Sequence, residues 1–357
     1  MNKLNHLDGI RSRFVETSRL RTYILEAGSS DQFPVIFLHG NASASAIWEE
    51  LMLGLDQEFY CIAPDLRGYG QTDSDQIIDA TRGVMNWVDD LEALAEELNL
   101  DKFHLVGHSL GGWICWGAVA ELSTRIETVT LMAPGPPHGF GGIHGSEGLP
   151  NNPDYSGSGS GVVNQLFVEN LRKGVRDSEE PMFSPRAIMH RLFWKDGFKP
   201  QREEEILTAM MQIHCGDKQY PGDYEKSTFW PFVAPGKYGP VNALSPKYNT
   251  DLTQRFSCSV AKPPILWIHG KDDQIISNES LSDPGMQGKL GFRSDWPGEK
   301  TYPPQPMIDQ IENQLKTYMN KGGDITIGKL ENCGHSPFLE QYERVLDLLR
   351  SFLISIK

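Results

Sequence analysis

Along the front of the chain, apolar runs and mixed stretches follow one another in a repeating order. Residues 34–40, PVIFLHG, form an unbroken apolar run closed by glycine, the pattern of a strand buried on both faces. FYCIAPDLRGYG (59–70) repeats it and ends in proline and glycine. In WVDDLEALAEELNL (87–100), Val88, Leu91, Leu94, Ala95 and Leu98 recur at a helical period, which predicts an amphipathic helix. KFHLVGHS (102–109) returns to the strand pattern. GGWICWGAVAEL (111–122) is apolar on nearly every side and predicts a buried helix, and IETVTLMAP (126–134) a further strand. Strands alternating with helices predict an α/β fold: a mostly parallel sheet with helices on both faces.

The alternation then breaks. Residues 135–161 are rich in Gly, Pro, Ser and Asn and end in SGSGSG, a composition that predicts a mobile loop. VVNQLFVENLRKG, SPRAIMHRLFWKDGF and REEEILTAMMQIHCG read as helical and aromatic, and the Pro-rich STFWPFVAPGKYGP follows; none has a strand period. Alternation resumes at PPILWIHGKDD (263–273) and DITIGKLENCGHS (324–336) and closes with the helix FLEQYERVLDLLRSFLISI. The pattern predicts one α/β core, residues 1–137 and 257–357, with an inserted, mainly helical cap at 138–256. A second polar, Gly/Pro-rich expansion, 277–304, is expected to run near the mouth of any site.

Charge narrows the partners. A formal net charge of −14 disfavours nucleic acid and anionic membrane surfaces, which would be repelled. The N-terminal stretch lacks the apolar core of a secretory signal, and no run is long enough to span a bilayer. The five cysteines, Cys61, Cys115, Cys215, Cys258 and Cys333, are scattered without CxxC spacing, which predicts free thiols in a reducing compartment. A cytoplasmic protein with a small-molecule substrate is the expectation, with no nucleic-acid or membrane partner; the oligomeric state is open.

One serine stands out. Ser109 lies in VGHSLGGW (106–113), with Gly107 and Gly111 two residues to either side, between the predicted strand FHLV and the predicted helix GGWICWGAVA. A nucleophilic serine must present its oxygen at a sheet end while the backbone turns sharply into a helix, and small flanking residues permit that turn. The helix start also leaves N–H groups free for a developing oxyanion. The glycines do not fit G-x-G-x-x-G, which argues against a dinucleotide site. No P-loop, haem, flavin or metal signature is evident, so neither cofactor nor metal is expected.

Five motifs then occur in order, each at a predicted strand end: HGN (39–41), PDLRGYG (64–70), GHSLGG (107–112), HGKDD (269–273) and GHSPF (334–338). In these the chain resembles the α/β-hydrolase fold superfamily, in its esterase, lactonase and epoxide-hydrolase-like group. The resemblance covers nearly the whole chain outside the insertion. It implies Ser109 as nucleophile and His335, after the last strand, as the base that removes its proton. The acid that fixes the imidazole tautomer is one of two neighbours, Asp272 and Asp273; the family's spacing from Gly270 favours Asp273. His108 is read as structural support and His39 as orienting the oxyanion loop, whose donors would be the N–H groups of Asn41 and Leu110.

HGNASASAIW departs from the HGGG loops of many lipases and is similar to the HGN…W loops of haloalkane dehalogenases. Those enzymes carry aspartate where this chain has Ser109, which argues for acyl transfer to water over dehalogenation or epoxide opening. The resemblance thus implies a serine hydrolase of an apolar carboxylic ester or lactone. Alternatives on the same triad are a carbon–carbon bond hydrolase, an amidase, a cofactor-free haloperoxidase, or a ligand receptor with little turnover. Among the insertion's aromatics, Trp194, Trp230 and Phe232 are expected to line the substrate pocket.

Overall fold

The computed structural model describes residues 4–178 and 181–355. Its centre is an eight-stranded sheet: β1 (Arg11–Glu16), β2 (Arg21–Ala27), β3 (Phe33–Leu38), β4 (Phe59–Pro64), β5 (Phe103–His108), β6 (Ile126–Met132), β7 (Ile265–Gly270) and β8 (Ile325–Leu330). The spatial order is β1-β2-β4-β3-β5-β6-β7-β8. Only β2 runs against the others, pairing antiparallel with both β1 and β4. From β4 to β8 every pairing is parallel; Leu38 stands opposite Gly107, and His108 and Ile268 both stand opposite Met132.

The unbroken apolar runs are explained by burial on both faces. Side chains alternate across a strand. Leu105 therefore joins Ile36, Leu38, Leu131 and Trp267 on one face, while Val106 joins Val35, Phe37, Met132 and Ile268 on the other. Helices α1 (Glu49–Leu55), α2 (Met85–Glu97) and α3 (Leu110–Leu122) follow the front strands. α2 and α3 cover the first face, while α1 covers the second. As its uniform apolarity predicts, α3 is buried almost throughout. The edge strands β1 and β8 each bury a single residue, Val15 and Leu330.

Between β6 and β7 the chain leaves the sheet and forms α4 (Gln165–Lys173), α5 (Pro185–Leu192), α6 (Glu203–Met210) and α7 (Leu252–Ser257). Local chemistry sets two of their starts. Asn164 accepts the Leu166 and Phe167 N–H groups at the head of α4. Ser184 accepts that of Ala187 at the head of α5, whose first residue is proline, as helix starts favour. Three ladders of two or three residues also occur here, for example Tyr224–Lys226 with Val233–Pro235. They are too short for an alternating pattern to register in the sequence. After β7 and the second expansion, α8 (Met307–Asn320) joins the first face and, beyond β8, α9 (Tyr342–Ile354) the second.

The glycine-rich segment expected to be mobile is instead packed. Ser156, Ser158 and Ser160 are buried. Gln305 accepts from the Gly141 N–H at 2.7 Å and donates to the Gly139 carbonyl at 2.9 Å, and the Tyr302 hydroxyl donates to the Ser156 carbonyl. Many of its glycines hold positive φ, and a Cβ on Gly157 would lie 1.8 Å from the Tyr302 oxygen. Here glycine serves close approach and left-handed backbone, which composition alone does not distinguish from flexibility.

Candidate active site

Ser109 occupies the single residue between β5 and α3, at φ 53° and ψ −111°, a region that L-residues enter only under strain. Three backbone bonds hold it there: its N–H donates to the Met132 carbonyl, and its own carbonyl accepts from Trp113 and Gly135 at 2.8 and 2.9 Å. The neighbouring glycines are required by contact. A Cβ on Gly107 would lie 2.4 Å from the Gly111 oxygen, and one on Gly111 would lie 2.1 Å from the Leu38 oxygen. β3, β5 and α3 approach so closely here that backbone replaces side chain.

The loop after β3 is fixed from within. His39 accepts the Leu66 N–H on Nε2 and donates from Nδ1 to the Gly40 carbonyl, and burial lowers its pKa, so the ring is neutral. Asn41 follows, its side-chain oxygen accepting from the Tyr69 hydroxyl at 2.8 Å. Asn41 and Leu110 line one cavity with Ser109. As the first residue of α3, Leu110 has an N–H with no intrahelical acceptor.

Beyond β7 the two adjacent aspartates part company. Asp272 points outward, its side chain 43% exposed and 3.3 Å from Lys195 Nζ. Asp273 is buried at 3%. Its Oδ1 accepts the Ile275 and Ile276 N–H groups at 2.7 and 2.9 Å, and its Oδ2 accepts from His335 Nδ1 at 2.8 Å. Burial pushes the Asp273 pKa up, but the His335 charge and these donors outweigh it and hold the carboxyl below its usual range. His335 follows β8, and its loop is clasped by Glu340, which accepts N–H groups from Gly334, Ser336 and, out of the insertion, Lys195.

Two further histidines complete the surroundings. His108 donates from Nε2 to the His335 carbonyl at 2.7 Å, and its ring centre is 4.7 Å from that of His335. Burial, helped by the His335 charge, takes its pKa down to about 3, so it stays neutral. His269 lies 3.5 Å from Asp273 Oδ2 and donates to the Ile276 carbonyl. Sequence reasoning passed over His269, Glu340 and Tyr69. Glu340 had a readable signal, an acid in the first turn after the His335 loop; the other two acquire partners only through folding.

Ser109, His108 and His335 line a cavity of about 900 Å³. Its walls come from the insertion (Phe140, Val162, Phe167, Ile188, Leu192, Phe193) and from the second expansion (Leu281, Gln287, Phe292). The three aromatics expected to line it do not. Trp194 is buried between Phe193 and Phe198, its backbone against Gly334. Trp230 packs edge-on to Tyr302, and Phe232 is 53% exposed. Aromatic content located an apolar region, but the pocket-facing positions depended on how the insertion's helices turned.

The model of the alpha/beta hydrolase fold family matches residues 34–286. A 2-hydroxy-6-oxo-6-phenylhexa-2,4-dienoate hydrolase of Burkholderia cepacia is 30% identical over 263 residues, 72% of this chain and 77% of that protein. Other similarities are partial. An epoxide hydrolase 1 of Caenorhabditis elegans is 28% identical over 125 residues, and a cis-3-alkyl-4-alkyloxetan-2-one decarboxylase of Shewanella oneidensis 30% over 136. These matches span 35% and 38% of this chain and 31% and 42% of those relatives' lengths. Among solved structures, a putative aryl esterase from Burkholderia cenocepacia superposes with TM-score 0.59 at 17% identity, covering 97% of this chain and 99% of that one. A Bacillus subtilis carboxylesterase superposes at 0.57 and 16%, covering 96% and 91%. Both structural likenesses establish the fold.

Proposed function

We propose, from the premise that this chain belongs to the alpha/beta hydrolase fold family, that it is a serine hydrolase cleaving a carboxylic ester or lactone through an acyl-enzyme. One observation carries the reading: Ser109, held in a strained strand-to-helix turn, shares a cavity with His335, whose Nδ1 is bound to the buried Asp273. With Nδ1 donating to Asp273, Nε2 is free to accept the Ser109 proton. The serine oxygen then adds to the carbonyl carbon, and the Leu110 and Asn41 N–H groups receive the oxyanion. His335 passes the proton to the leaving alkoxide, and the carbon–oxygen bond breaks. Water, deprotonated by His335, attacks the acyl-enzyme and frees the acid and Ser109.

Residues 138–256 act in this reading as a cap, since they supply much of the wall above Ser109. An enclosed apolar wall strengthens the oxyanion bonds by excluding water. The volume suits a medium-sized apolar substrate, near the top of the roughly 300–1,000 Å³ usual for small-molecule sites. Fluorophosphonate labelling and p-nitrophenyl ester turnover test the reading. Ser109→Ala should abolish both while the thermal transition persists; an alanine variant with near-native turnover refutes it. The rival reading, hydrolysis of a carbon–carbon bond beside a ketone, is favoured by the 30% identity over 72% of the chain and uses the same residues. Turnover of a vinylogous diketone with no ester hydrolysis would select it.

A further inference from the structure

We propose that the cavity recognises a carboxylate on the substrate, remote from the scissile bond, through Arg191 and Arg293; the substrate class is then the monoester of a dicarboxylic acid or a comparable anionic ester. The proposal deepens the ester-hydrolase reading and rests on it for the position of the reacting carbonyl. Its basis is the charge of the lining. The chain carries 47 Asp and Glu against 33 Lys and Arg, yet among the described residues no Asp or Glu lines the cavity, and the Lys and Arg side chains that do are two arginines.

Each guanidinium is available. Arg191, in the last turn of α5, is exposed and makes no ion pair or hydrogen bond among the described residues. Arg293 is half-buried, and its Cζ stands 5.9 Å from the centre of the Trp230 ring, a contact that leaves the guanidinium N–H groups free to donate in its own plane. Its Nε donates to Gln287 Oε1 at 2.8 Å, and Gln287 is itself anchored through Nε2 to the Leu281 carbonyl at 2.9 Å. The terminal Nη1 and Nη2 edge is left without an acceptor among the described residues, in the planar geometry that takes a carboxylate on two parallel bonds. Asp283 feels the Arg293 charge but forms no ion pair with it and does not line the cavity.

The arrangement also sorts by depth. Met182 and Phe292 line the same cavity while 58% and 72% exposed, which marks its opening, whereas His335 lies at 2% on the floor. The exposed Arg191 and half-buried Arg293 thus stand nearer solvent than the reacting residues. In a protein of net charge −14, a local cationic mouth offsets the repulsion that an anionic substrate meets on approach.

The test compares mono-p-nitrophenyl esters of the diacids from adipate to sebacate with their methyl-capped, neutral counterparts. Wild type should favour the anionic ester at one chain length, more strongly at about 20 mM than at about 500 mM salt. In Arg191→Gln/Arg293→Gln the anionic-to-neutral ratio of kcat/KM should fall by about tenfold or more, the worth of a hydrogen bond to a charged group. A ratio that stays within about twofold of wild type overturns the proposal. Calorimetry of monomethyl suberate on Ser109→Ala, with and without the two arginine changes, gives a readout that needs no reaction. Arginine-dependent binding with no ester turnover would sink the hydrolase reading and keep the carboxylate site. Ester turnover through Ser109 with arginine-independent ratios and binding would do the reverse. The single variants, at exposed and half-buried positions, serve if the double variant fails to fold.

Discussion

Asp273→Asn is a sharp test of the catalytic arrangement, because the surroundings of Asp273 dictate how an amide would sit. Oδ1 accepts two backbone N–H groups, from Ile275 and Ile276. If asparagine keeps its oxygen there, its NH2 faces His335 Nδ1. The ring must then accept at Nδ1 and carry its proton on Nε2, the tautomer that cannot take a proton from serine. If the amide flips to restore the His335 bond, its NH2 meets the two backbone donors instead. Two buried donors then go unmatched, at about 1–3 kcal/mol each, or roughly 2–6 kcal/mol in all. The productive orientation is thereby reduced roughly 30-fold to 10⁴-fold, since about 1.4 kcal/mol is a factor of ten. This range reaches the ~10⁴ loss in kcat found when a triad acid becomes an amide. Asp272→Asn removes only a half-exposed pair with Lys195, worth about 0–1 kcal/mol, and should leave kcat within about threefold. The assay is steady-state hydrolysis of a short p-nitrophenyl ester, with circular dichroism to establish folding. A folded Asp273→Asn variant within about tenfold of wild type, or the reverse ranking of the two aspartates, refutes the reasoning.

Gly111→Ala should be severely destabilising, by about 1–3 kcal/mol or more, because its Cβ would meet the Leu38 carbonyl oxygen at 2.1 Å and backbone cannot swing aside; an unchanged thermal midpoint would show that β3 and α3 separate more readily than their packing indicates. Gly334→Ala should lower kcat/KM by about tenfold or more, of the order that a small misplacement costs, since its Cβ would lie 2.6 Å from the Lys195 nitrogen, where the insertion crosses the His335 loop. Stability should fall on the acid side partly through His108. Its folded pKa of about 3 lies below the ordinary 6.5, so the unfolded chain takes up a proton that the folded one does not. The contribution is present in full above pH 6.5 and lost as pH falls toward about 3. In His108→Gln the thermal midpoint should decline less steeply across that window, and an identical slope would remove His108 from the cause.

The parallel order of the sheet, the burial of α3 and the strand-to-helix turn at Ser109 were legible in the chain because each is set by nearby residues. Apolar runs closed by glycine can be buried only as central strands, and small residues two positions either side of Ser109 are what a tight turn there requires. The five motifs fell at strand ends because sheet geometry gathers those ends at one edge. What sequence could not reach lies where partners are far apart in the chain. Asp272 and Asp273 are chemically alike, and the two backbone N–H groups that single out Asp273 exist only once the turn has closed. Tyr69 meets Asn41 only once β3 and β4 lie side by side, and Glu340 meets Lys195 only when the insertion and the core are docked. Glycine in 139–161 looked like freedom because composition records the absence of a side chain, whereas the fold supplies the reason for it, a neighbour such as Tyr302 standing where a Cβ would be. The pocket wall depended in the same way on tertiary structure: Trp194, Trp230 and Phe232 turned away from the cavity, while Phe140, Phe193 and Phe292 turned toward it. The rotation of a helix or loop about its own axis is decided by everything packed against it, and no local pattern encodes that.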